Sequence, residues 1–174
     1  MVFTRTCSAH SAAPPEAVHD FVGDLSQHPG WACNALTTEH LSGPMRGPGA
    51  HYRSTVTDPL PGLHSTVVAE LRVVEERPGS LFVFESEDPR GRYRWTFVLT
   101  SRDGGTDISQ TVERLHAAPV LGVLQPAMWR LFGRKQVQRG LDALAAEAAS
   151  SPLPARRTID LSPQDRERYE ADLR

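Results

Sequence analysis

The sequence predicts an α+β fold, in which a curved antiparallel β-sheet wraps around one long C-terminal α-helix and a short helix and turn follow the first strand. Three observations predict it. Residues 119–149 are the only stretch long and apolar enough for a major helix. Nearly everything before Pro119 alternates with the period of a strand. After Pro14-Pro15, the apolar residues Val18, Phe21, Val22 and Leu25 stand at i, i+3, i+4 and i+7, one buried helical face. A long helix that follows a run of strands is what those strands must cover.

Each element follows from its residues. Val2–Ser11 alternates loosely and reads as a strand, with Phe3, Cys7 and Ala9 on one face. Pro14-Pro15 opens the short helix, where a missing N–H costs nothing, and Gly23 stops it. His28-Pro-Gly-Trp31 is a turn ending in a large aromatic. Leu36–Leu41 is a weak strand and Gly43–Gly49 a loop rich in Gly and Pro. Ala50–Thr57 places Tyr52 and Val56 on one side. Asp58–His64 is too proline-rich for a strand. Val67, Ala69, Leu71 and Val73 alternate with polar residues up to the Pro78-Gly79 turn. In Leu81–Glu85, Phe82/Phe84 and Leu81/Val83 compete for the inner face, and alternation leaves both open. After Asp88–Gly91 turns the chain, Tyr93–Thr100 is the clearest strand, with Tyr93, Trp95, Phe97 and Leu99 on one face. Asp103-Gly-Gly105 is a hairpin turn. Asp107–Leu115 returns with Ile108 and Val112 inward, and the same parity carries Gln110 and Arg114 inward.

The long helix carries two apolar stripes. Leu124, Met128 and Leu131 form one; Val137, Leu141, Leu144 and Ala148 form the other. At 3.6 residues per turn the second is rotated by more than a quarter turn from the first, so the helix bends, breaks near Gly133 or touches different surfaces along its length. Pro126 adds a kink or a fresh start. Residues 1–149 are thus expected to form one ligand-binding domain. Residues 150–174 are expected to form a linker and a charged tail, with a helix start at Ser162-Pro163.

Composition excludes several functions. Net charge is −2 with both signs interspersed, which argues against nucleic acid as a partner. The cluster Arg130, Arg134, Lys135, Arg139 reads first as a solvated helix face. Cys7 and Cys33 are the only cysteines, there is no CxxC, and the seven histidines are scattered without HExxH, so no metal site is expected. No P-loop, GxGxxG after a strand or GxSxG elbow is present. No signal peptide and no membrane-spanning run is evident, so a reducing cytoplasm and a monomer or homodimer are expected.

The element order resembles the helix-grip fold of the START/polyketide-cyclase (SRPBCC) superfamily. Ala13-Pro-Pro-Glu-Ala-Val18, Phe21-Val-Gly-Asp24 and His28-Pro-Gly-Trp31 look like its first helix and turn. Gly47–Tyr52 looks like the start of its third strand, Val73–Pro78 and Trp95–Gln110 like its central hairpins, and Gly140–Leu144 like the end of its last helix. The resemblance covers residues 1–149. It implies binding of a hydrophobic small molecule in an internal cavity, by a cofactor-free cyclase or dehydratase or by a lipid or quinone carrier; fold alone does not choose.

Ring closure and dehydration need a shaped, dry pocket and one or two proton-transfer groups. Tyr52 is the first candidate for a catalytic role, its phenol donating to a carbonyl; the alternative is a packed ring with its hydroxyl at the rim. Arg114 is the second, stabilising an enolate or pairing with a ligand carboxylate; the alternative is a surface ion pair. Ser54 and Gln110 share the inward parity. Trp31, Phe84, Trp95, Phe97, Leu124, Met128 and Phe132 are candidate cavity walls, each also readable as plain core. Lys135 is placed at the mouth or in solvent. His28 and His51 are possible bases for which the sequence offers no partner.

Overall fold

A computed structural model describes residues 3–32, 34–57, 66–117 and 127–150. Leu124, Cys33, the 58–65 segment and the tail from residue 151 lie outside the described residues.

The chain runs β1 (Thr4–Ser11), α1 (Pro15–Val22), a 3₁₀ turn (Leu25–Gln27), α2 (His28–Trp31), β2 (Ala35–Ser42), β3 (His51–Thr57), β4 (Thr66–Arg77), β5 (Leu81–Asp88), β6 (Gly91–Arg102), β7 (Gly105–Ala117), a π-helical turn (Trp129–Gly133) and α3 (Arg134–Ser150). One antiparallel sheet has the order β1-β7-β6-β5-β4-β3-β2. Consecutive strands are neighbours except that β7 returns beside β1. Register shifts at Val73/Glu75, Arg92/Tyr93 and within β2 mark bulges, which bend a sheet. The predicted fold class is the one observed. His28–Trp31, read as a turn, is one turn of helix.

β5 explains why alternation left its inner face open. Phe82 and Phe84 point into the core, yet Val83 and Glu85 on the other face are buried too. Glu85 is covered by Arg94 and Arg92, whose Nη2 atoms lie 2.7 and 2.5 Å from its carboxylate. Burial alone pushes this carboxyl pKa up; the two guanidinium hydrogen bonds outweigh it and hold the pKa below the usual value.

The second half of the long helix seals the core. Leu141, Leu144, Ala145 and Ala148 are buried with Val18 and Val22 of α1 and with Phe82, Phe97, Leu99 and Ile108 of the sheet. Ser11 Oγ donates to the Ala145 carbonyl at 2.7 Å, and Gln138 Nε2 donates to the Ser8 carbonyl at 2.9 Å, tying α3 to β1. Gly105 permits the tight corner, since a Cβ there would stand 2.2 Å from the Ser11 carbonyl.

The first half behaves differently. The π turn, with its i→i+5 bonds, carries one extra residue and rotates the following face by about 100°. It lies where the sequence allowed a bend or break, at Gly133. The first apolar stripe is corrected: Met128 lines the space under the sheet, whereas Leu131 is 67% exposed. No helix among the described residues is long and apolar enough to cross a membrane.

Candidate functional site

Between the sheet and the first half of the long helix lies a cavity of about 260 Å³. Small residues on its wall leave room for it. Ser54 and Ala69 are paired in the β3–β4 ladder, and both line the cavity together with Gly140 of α3. A leucine at any of these positions would occupy the space. Gly133 serves a related purpose: a Cβ there would meet the Trp129 ring at 2.9 Å, so glycine lets the indole lie across the π turn.

The walls are aromatic. Trp95 and Phe84 stack with centroids 6.1 Å apart on the sheet side, and Trp31 of α2 stands 4.7 Å from His28 in an edge-to-face contact. Trp129 meets Phe3 edge-on at 5.7 Å on the helix side, where Met128 and Phe132 complete the wall. All three tryptophans of the chain line this one space.

Its polar groups fall into two sets. Some are satisfied by the protein: Trp95 Nε1 donates to Ser86 Oγ at 2.9 Å, and Ser54 Oγ donates to the Thr37 carbonyl at 3.2 Å. At the rim Arg90 donates to Asp88 from Nε and Nη2, at 2.9 and 2.7 Å. The second set is unsatisfied. Trp31 Nε1, Gln110 Oε1 and His28 Nδ1 are buried without a hydrogen-bond partner, and all three residues are part of the wall. Unpaired buried polar atoms cost about 1–3 kcal/mol each, and three of the four such side-chain atoms among the described residues belong to this one wall. Burial pushes the His28 imidazole pKa down to about 4, which keeps it neutral near pH 7.

Of the expected site residues, the structure brings Trp31, Ser54, Phe84, Trp95, Gln110, Met128 and Phe132 together on the cavity wall. Phe97 stands behind it in the solid core, edge-on to Trp31 at 5.9 Å. Tyr52 is buried but does not line the cavity; its hydroxyl donates to the Met45 carbonyl, its ring packs edge-on against His40, and burial raises its pKa. It holds down the Gly43–Gly49 loop. Arg114 does not line the cavity either. Its backbone N–H donates to the Phe3 carbonyl at 2.9 Å, and its guanidinium lies 5.8 Å from the Phe3 ring centroid. Lys135 is exposed. His51 has a partner after all, Glu70 at 3.1 Å. No cluster of three or more metal-ligating side chains occurs among the described residues.

The residues missed from sequence are Phe3, Trp129, Ser86 and the Asp88–Arg90 pair as wall members, together with the small pair Ser54/Ala69 as the cause of the space. The last had a signal: two small side chains at inward positions in adjacent strands.

Comparison with known proteins places this geometry. Among curated proteins no sequence matches. A structure from Thermus thermophilus superposes with a TM-score of 0.67 at 21% identity, covering 86% of this chain and all (100%) of that one. The Zhui aromatase/cyclase from Streptomyces sp. R1128 gives 0.67 at 16% identity, over 85% and 94% of the two chains. Ginseng major latex-like protein 151 from Panax ginseng gives 0.61 at 9% identity, over 84% and 97%. At such identities these likenesses show the fold. The family described as polyketide cyclase/dehydrase and lipid transport matches residues 3–149. A bent sheet, a helix that closes one end of it and a cavity at the other are therefore the features of a member: the chain belongs to the polyketide cyclase/dehydrase and lipid transport family, within the SRPBCC superfamily.

Proposed function

We propose that this protein takes up a flat, largely apolar small molecule between Trp95/Phe84 and Trp129, and binds its polar atoms with Trp31, Gln110 and His28. One observation carries the reading: an aromatic-walled cavity of about 260 Å³ whose wall holds three buried polar atoms unpaired by the protein. A ligand bonded to them would relieve a cost of about 1–3 kcal/mol at each, which supports recognition of oxygen substituents on an apolar frame. Trp31 Nε1–H asks for an acceptor and Gln110 Oε1 for a donor.

The test is native mass spectrometry of the purified protein, followed by titration of its tryptophan fluorescence with whatever co-purifies. A bound small molecule that changes the emission saturably at one-to-one stoichiometry is the expected result. Absence of any saturable change across a panel of naphthols, quinones and fatty acids overturns it.

A catalytic version, cyclisation or dehydration of a polyketide-like chain without a cofactor, is the second reading. What favours it is His28, a neutral imidazole on the cavity wall that has no protein partner at Nδ1. In that reading His28, rather than Tyr52 or Arg114, moves the proton. His28→Gln then slows turnover of a linear poly-β-ketone roughly 100-fold or more, beyond any loss of ligand affinity; equal rates in the two proteins remove His28 from the chemistry, and no turnover by the wild type reduces the function to binding.

A further inference from the structure

Among the described residues, the outward face of the helical stretch that lids the cavity carries exposed side chains without ion pairs. From Ala127 to Leu141 the chain carries four cations, Arg130, Arg134, Lys135 and Arg139, and no carboxylate. All four are exposed, and none makes an ion pair among the described residues. Elsewhere Arg72, Arg77, Arg90, Arg92, Arg94 and Arg102 each lie within ion-pair reach of a carboxylate, and the exposed arginines that do not, Arg5 and Arg53, stand singly on separate strands. Among these unpaired cations stands Leu131, 67% exposed, the most exposed large hydrophobic side chain among the described residues. Beside it Phe132 is 37% exposed and also lines the cavity.

We propose that this face docks on an anionic lipid membrane, with Leu131 and Phe132 entering the headgroup–acyl boundary and the four cations resting on anionic headgroups. An amphipathic helix lies in the interface in this way, apolar side chains inward and basic ones at the phosphates. Two features select a bilayer over other anions. A nucleic-acid backbone is bound by charge and hydrogen bonds and gains little from an exposed leucine. The face also adjoins the cavity through Phe132, so an apolar ligand passes between lipid and chamber with little exposure to water. That passage rests on the ligand reading above; the docking itself does not.

The experiment is co-sedimentation of the full chain with phosphatidylcholine vesicles, with and without phosphatidylserine, at low and high salt, and retention on heparin as a polyanion control. Wild type is expected to sediment only with the anionic vesicles and to be released by salt. Each cation near the surface adds roughly fivefold to binding, so Arg134→Glu/Lys135→Glu is expected to lower it by roughly 25-fold or more. Leu131→Gln is expected to lower it several-fold without changing heparin retention. None of these three residues lines the cavity, so both variants keep the wild-type melting curve and ligand titration. Failure of wild type to bind anionic vesicles at low salt overturns the proposal. Vesicle binding indifferent to Leu131→Gln also overturns it and leaves a general polyanion site.

Discussion

The two halves of one helix meet the same sheet in opposite ways. In its second half Leu141, Leu144, Ala145 and Ala148 are buried in one core with Phe82, Phe97, Leu99 and Ile108. From Met128 to Gly140 it faces Ser54 and Ala69 across open space. At the closed end the sheet meets the helix in close-packed apolar contact; at the open end it presents the large rings of Phe84 and Trp95 together with the small Ser54 and Ala69, and leaves space between. Stability is expected to reside at the closed end and, in the function proposed above, binding at the open one; that separation can be attacked from either side.

The largest expected effect is at the closed end. Leu141→Ala should destabilise the protein by about 2–5 kcal/mol in chemical denaturation, as for other buried leucines whose loss leaves a void. Met128→Ala, on the cavity wall, should cost under about 1 kcal/mol and act on ligand affinity instead, because no close-packed contact is lost there. Equal losses at the two sites would erase the distinction.

Next comes a pH effect at the open end. His28 titrates at about 4 when folded, below the ordinary 6.5. Between those values the unfolded chain binds more protons, so stability is fully present above pH 6.5 and falls as pH drops towards 4, by about 3 kcal/mol from this group. His28→Gln should flatten that part of the stability–pH curve; an unchanged curve would show that another group carries it.

A smaller effect is expected from filling the space. Ala69→Leu should weaken ligand binding by about tenfold or more while leaving the melting temperature within a few degrees of wild type, because it uses volume that is already there. The smallest is Tyr52→Phe. Losing the hydroxyl bonded to Met45 should cost about 1 kcal/mol of stability and leave ligand affinity unchanged. A lost affinity would return Tyr52 to the site.

Much of this was readable from the residues. Strand alternation predicted the sheet, and the inward parity of Ser54, Trp95 and Gln110 put them on the cavity wall. Parity states which face a side chain takes, not how far along the strand the cavity reaches. Tyr52 shares the parity of Ser54, yet it sits at the level of the Gly43–Gly49 loop, where Met45 takes its hydroxyl. Leu131 lies outside and Trp129 on the wall for a different reason. A stripe drawn at 3.6 residues per turn assumes an unbroken helix, and the π turn at Trp129–Gly133 breaks that assumption. His28 was noticed, but its burial depends on Trp31 and Phe84 closing over it, and Phe84 is distant in sequence.

The most direct measurement follows the three indole N–H resonances and the Leu141 and Leu144 methyl resonances by nuclear magnetic resonance as a ligand such as 1-naphthol is added. If the open end holds the ligand, the Trp31, Trp95 and Trp129 signals shift together and saturably, Trp31 most strongly because its N–H has no protein partner, while the two leucines stay still. Stationary indoles, or leucine methyls that move as far as the indoles do, would contradict a chamber confined to one half of the helix.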